Sequence, residues 1–117
     1  MNRVFLIAAL VSSVSLYAAP GLSQYLKGSA REDFIKGTSD GCMRAKVQDE
    51  DSKIVPNSLF VGYCRCYANA LADKIPISEL PTKPLNDPVI KEASAVCYQE
   101  MKFEALRLYK AGQYPKQ

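Results

Sequence analysis

The chain contains no histidine and no tryptophan. Without histidine, the side chain that most often serves as a general base near neutral pH is missing. Ser-His-Asp, Cys-His and His-ligated metal mechanisms are absent with it, as is the C-x-x-C-H attachment of haem c. There is no glycine-rich phosphate loop and no dinucleotide fingerprint. A formal net charge of +3, from 15 basic and 12 acidic residues, gives no concentrated basic face of the kind that engages nucleic acid. No strand alternation, internal repeat or low-complexity run interrupts the sequence.

Long apolar runs are also missing, with one exception at the start. Met1-Asn2-Arg3 is short and basic, Val4 to Leu16 is apolar apart from three serines, and Ala18-Ala19-Pro20 supplies small residues. That pattern is a secretory signal peptide over residues 1–18, with cleavage expected after Ala18. The run falls short of the roughly 20 apolar residues that span a bilayer, so no stable membrane anchor is expected after cleavage. Export to the periplasm or beyond the cell follows, and residues 19–117 are expected to form a single α-helical domain.

Four cysteines are present: Cys42, Cys64, Cys66 and Cys97. In a small exported chain an even count reads as two disulfides, which offset the modest core of so short a domain. Three helices carry them, over about residues 30–46, 58–75 and 88–111. For the first, Ser29-Ala30-Arg31-Glu32 fits a capping box, with Phe34 or Ile35, Thr38, Cys42 and Ala45 facing inward. Lys46 to Asn57, with the acids Asp49, Glu50 and Asp51, reads as a solvated linker. Asn57 or Ser58 should cap the second helix, which Pro76 ends. On its wheel Leu59, Phe60, Tyr63, Cys64, Cys66, Tyr67, Ala70, Leu71 and Ile75 share one broad half; Gly62, Arg65, Asn69, Ala72 and Asp73 share the other. A short turn follows at Ile77 to Leu80. Asp87-Pro88 opens the third helix and Gly112 stops it. Its inward stripe is Ile90, Ala93, Cys97, Met101 and Leu108.

Cysteines at i and i+2 of a helix point about 200° apart, so Cys64 and Cys66 cannot readily bond each other. Each must reach a different neighbour, one helix carrying Cys42 and the other Cys97. The pairing is Cys42–Cys64 with Cys66–Cys97, slightly preferred, or Cys42–Cys66 with Cys64–Cys97. In the first register Lys74 lies opposite residues 87–90 and is expected to meet Asp87. A Cys₄ zinc site would need paired short spacings, and only one close pair exists; no metal or cofactor is expected. Glu100 and Glu104, at i and i+4, are read as an ordinary helix edge rather than an acid–base pair.

The layout resembles a loose class of small exported bacterial proteins, themselves uncharacterised, in which a helix with one cysteine precedes a Y-C-x-C helix and a helix with a fourth cysteine. The residues carrying the likeness are Phe34, Cys42, Tyr63 to Tyr67, Ala70, Leu71, Ser78 to Leu80 and Cys97. The resemblance implies a helical fold and the periplasm, and no activity. The function expected from the sequence is therefore a non-catalytic protein-interaction module, inhibitor- or immunity-like, binding another envelope or secreted protein. Arg65, Asn69 and Asp73 form its expected contact surface. The alternative is a thiol-redox or soft-metal carrier using Cys64 and Cys66, and a third reading is an apolar-ligand cavity lined by Phe60, Leu71 and Met101.

Overall fold

A computed structural model of the chain describes residues 24–116, and the signal peptide and its cleavage site lie outside the described residues. The described chain is all-helical: α1 (Gly28–Lys46), α2 (Glu50–Lys53), α3 (Asn57–Lys74), a 3₁₀ turn (Ile77–Glu79) and α4 (Pro88–Lys110). No strand occurs among the described residues. The three long helices form one layer with α3 in the middle; α1 and α4 each pack on it and barely meet each other.

Local chemistry explains where the helices begin and end. The Asp87 carboxylate accepts from the Val89 backbone N–H at 2.9 Å and Pro88 occupies the first turn of α4, as the sequence signal implies. At the other end Gly112 has φ +70, the Gln113 N–H reaches the Leu108 carbonyl at 2.8 Å and the Gly112 N–H reaches Tyr109 at 3.1 Å. That is a Schellman closure, which satisfies two orphaned carbonyls. The other expected caps do not form. α1 starts at Gly28 behind Lys27 with no side-chain cap, so Ser29 lies inside the helix and the capping box is not made. α3 starts behind Pro56, whose carbonyl accepts from Leu59 and Phe60 while its ring is fully buried. Burying that ring fixes the entry, and neither Asn57 nor Ser58 is needed as cap.

Burial follows three adjoining clusters. Leu59, Phe60, Cys64 and Met101 form one; Leu71, Ile75, Ile90 and Ala93 a second; Ile35, Ala68 and Ala72 a third. The third corrects the wheel reading. Ala72 was assigned to the polar half, yet Ala68 and Ala72 are both 0% exposed because α1 lies directly over them. With Cys64 they make an i, i+4, i+8 row on α3, and small side chains there let α1 approach closely. In α1 the inward position near the end is Lys46 rather than Ala45, which is exposed.

Two disulfides tie the layer together: Cys42–Cys64 joins α1 to α3 and Cys66–Cys97 joins α3 to α4, each with Cα atoms 5.7 Å apart. No free cysteine remains among the described residues. No described helix is long and apolar enough to cross a membrane. The segment ahead of α1 is also held, because the Ile77 N–H donates to the Gln24 carbonyl at 2.7 Å.

Candidate functional site

Because α1 and α4 flank α3 without closing over it, one side of α3 becomes the floor of a groove of about 670 Å³. Phe60, Tyr63 and Tyr67 form the floor, Cys42, Ala45 and Lys46 one wall, and Ile90, Ser94 and Tyr98 the other. The volume lies within the range of ligand sites, roughly 300–1,000 Å³. The floor rings are mutually packed: Phe60 and Tyr63 centroids are 5.0 Å apart, Tyr63 stacks on Tyr67 at 6.3 Å, and Tyr98 meets Tyr63 edge-on at 6.3 Å. The Tyr63 hydroxyl is 2.7 Å from Ser94 Oγ, which fixes the ring across the α3–α4 junction. Burial, and next the neighbouring Tyr63, push the Tyr67 hydroxyl above its ordinary pKa of 10.0. The floor is therefore aromatic and mutually packed.

α2 closes one end of the groove. The sequence reading treated Lys46 to Asn57 as a plain linker, but Glu50–Lys53 forms a single helical turn. Lys46, which is only 6% exposed, is tied to the end of that turn. Its Nζ donates to the Lys53 carbonyl at 3.2 Å, at the end of α2, and lies 5.9 Å from the Phe60 ring centroid. A carbonyl at a helix C-terminus attracts a cation, and the aromatic face adds to that attraction. Lys46 forms no ion pair among the described residues. Nothing in the sequence sets it apart from the chain's other lysines; its neighbour Ala45 has the more apolar side chain.

The surface expected from Arg65, Asn69 and Asp73 is partly used within the fold. Arg31 of α1 donates to Asp73 at 2.7 Å and to Asn69 at 2.9 Å, and Asn69 also donates to the Arg65 carbonyl at 2.8 Å. The wheel placed the three residues on one face; Arg31 of α1 bonds two of them, and the Asp73 side chain stays largely exposed. The Arg65 side chain stays exposed and lines a separate cleft of about 350 Å³ with Glu32, Ser39 and Met43. Ser39 Oγ is buried there with no hydrogen-bond partner among the described residues.

A third cleft, of about 400 Å³, opens on the Cys66–Cys97 disulfide and is lined by Tyr63, Glu100, Met101 and Glu104. The Glu100 carboxylate sits 3.5 Å from Cys66 Sγ. A disulfide sulfur carries no proton, so this is a contact and not a hydrogen bond. Hydrogen bonds from Arg107, at 3.0 and 2.6 Å, hold Glu104 below the usual carboxyl pKa of 4.5. That is the opposite of the raised value a general acid needs. Asp87 pairs with Lys83 at 3.6 Å, not with Lys74, which is exposed and makes no ion pair among the described residues. The two residues are bridged by the α4 cap and the connecting loop rather than by helix register. Phe60, Leu71 and Met101 do not share a cavity: Phe60 lines the large groove, Met101 the disulfide cleft and Leu71 neither. Cys64 and Cys66 belong to different bridges, so Cys-x-Cys is not a unit in the oxidised chain. No group of three or more His, Cys, Asp or Glu that could hold a metal occurs among the described residues.

No protein-family model, curated protein or solved structure matches this chain.

Proposed function

We propose that the chain is an exported, non-catalytic binding module, periplasmic or secreted, that caps another envelope or secreted protein in the manner of an inhibitor or immunity protein. The observation that carries this reading is the aromatic groove. Two covalent staples fix one flanking helix on each side of α3, and between them Tyr63 and Tyr67 stay half-buried at the groove floor. Rigid aromatic side chains offer large contact area at little entropic cost, and such residues dominate binding energy at interfaces. A groove along a helix between two flanking helices is a site that an amphipathic helix fills. Two disulfides are consistent with an oxidising compartment.

The test is affinity capture from envelope extract with the oxidised protein as bait, run beside Tyr98→Asp. Tyr98 is exposed on the groove wall, so the substitution leaves the core intact. A protein retained by the wild type and lost with Tyr98→Asp supports the reading. One retained equally by both removes the groove from it.

A thiol-redox role is the second reading, because the Cys66–Cys97 bridge fronts an open cleft. It requires a bridge that a mild dithiol reduces while Cys42–Cys64 stays intact. Mass-spectrometric counting of alkylated thiols after graded dithiothreitol treatment separates the two roles.

A further inference from the structure

Both disulfides border open space, and they differ in the charge that an incoming group meets. Cys42 lines the large groove together with Lys46 and Lys91, where Asp49 is the lining acid. Cys66 and Cys97 both line the smaller cleft, whose charged side chains are two acids, Glu100 and Glu104. Glu104 is paired with Arg107, whereas Glu100 is exposed and forms no ion pair among the described residues. The Glu100 carboxylate lies 3.5 Å from Cys66 Sγ. The two sulfurs of this bridge are also unequal, since Cys66 is half-buried and Cys97 is 2% exposed. Gly62, one turn ahead of Cys66 and lining the same cleft, has no side chain to shield it. A Cβ placed there would meet nothing within 4 Å.

Thiol–disulfide exchange is the attack of a thiolate on one sulfur, at a rate set by access and by which sulfur is attacked. The attacker is an anion, so a carboxylate beside the attacked sulfur opposes it. We infer that Cys66 is the sulfur attacked when this bridge exchanges, and that Glu100 makes the cleft selective for a thiol that carries a positive charge near its sulfur. This deepens the thiol-redox reading and rests on it for any use in the cell. In the first step the thiolate of an external dithiol bonds to Cys66 Sγ. The Cys66–Cys97 bond breaks, and its electron pair leaves on Cys97 Sγ, which takes a proton from water. In the second step the dithiol's other thiolate attacks its own sulfur in the mixed disulfide and releases Cys66 as a thiolate. The dithiol ends as a disulfide and the two cysteines end reduced. A cationic thiol can set its ammonium on Glu100 while its sulfur meets Cys66; an anionic thiol is repelled by the same carboxylate.

The test treats the full oxidised protein with cysteamine, mercaptoethanol or mercaptoethanesulfonate, which are cationic, neutral and anionic. Exchange is stopped with acid at intervals, and peptide mass spectrometry locates the adduct. The earliest adduct at this bridge is expected on Cys66. Its rate per thiolate should fall in the order cysteamine, mercaptoethanol, mercaptoethanesulfonate, by about tenfold from first to last, and salt should narrow the range. Glu100→Gln should speed the anionic thiol at Cys66 by about three- to tenfold, the size of a unit-charge interaction near 4 Å in water, and flatten the series. The same variant should leave exchange at Cys42–Cys64 unchanged, and Glu100→Asp, which keeps the charge, should keep the order. A first adduct on Cys97, equal rates per thiolate in the wild type, or a series that Glu100→Gln does not flatten overturns the inference. The order in which neutral dithiothreitol opens the two bridges decides the redox reading by itself, so either can fail without the other.

Discussion

The two flanks of α3 are sealed by different means. Towards α1 the contact is made by small residues, Ala68 and Ala72, under Ile35, with Arg31 clamping Asn69 and Asp73 at its edge. Towards α4 it is made by bulk: Leu71, Ile75 and Ile90, with Met101 further along. Each flank then carries one disulfide. The comparison teaches that close backbone approach and large apolar side chains are alternative ways to bury a helix face. Only the second announces itself as hydrophobic periodicity. Keeping α1 close by small residues also holds it to one side, leaving Tyr63 and Tyr67 of α3 half-buried at the groove floor.

The largest effects should come from the staples. They link residues 22 and 31 apart, for which the chain-entropy model gives about 3–4 kcal/mol each. Cys42→Ala with Cys64→Ala, and Cys66→Ala with Cys97→Ala, should each lower the unfolding free energy by about that amount in urea titrations. A difference between them above about 1.5 kcal/mol would mean that one bridge serves something besides closure of its loop.

The packing difference is probed by Ala72→Leu. With no exposed surface at Ala72, the larger side chain must push α1 away, at a cost of about 1–3 kcal/mol. If denaturation shows no loss, α1 does not lie where it is described. Arg31→Ala should cost less, under about 1 kcal/mol, because the Asp73 side chain is 61% exposed and the pair is screened. The smallest effect concerns Tyr67. Its hydroxyl should be among the last to ionise when tyrosinate absorbance is followed with pH. A phenol whose folded pKa is raised favours folding fully below its unfolded value near 10.0, and loses that contribution as pH rises through the folded value. Ionisation of Tyr67 at or below the ordinary value would contradict a desolvated floor.

The fold was legible where chemistry is local or covalent. Cys64 and Cys66, two residues apart on a helix, had to face different neighbours, and Asp87-Pro88 and Gly112 marked the ends of α4. The α1 face of α3 was not legible, because an alanine on a helical wheel carries no sign of what will cover it. Ser29 and Asn57 looked like caps, but α3 starts at the buried ring of Pro56 and α1 starts ahead of Ser29, behind Lys27, with no side-chain cap. The groove was half-visible. Tyr63 and Tyr67 stood out beside the cysteines, whereas Lys46 is an ordinary basic residue until α2 folds over it. Asn69 and Asp73 faced solvent on the wheel of α3 alone; Arg31, 38 and 42 residues away, claims them.

The most direct test of the central claim compares two faces of the protein in its native compartment. A photo-crosslinking residue is placed at Leu85 or Tyr98, on the groove, or at Phe103, which is 65% exposed on α4 and does not line the groove. After illumination of intact cells, a defined protein adduct is expected from Leu85 and Tyr98 and not from Phe103. An adduct formed at Phe103 with none at the groove positions would contradict the account.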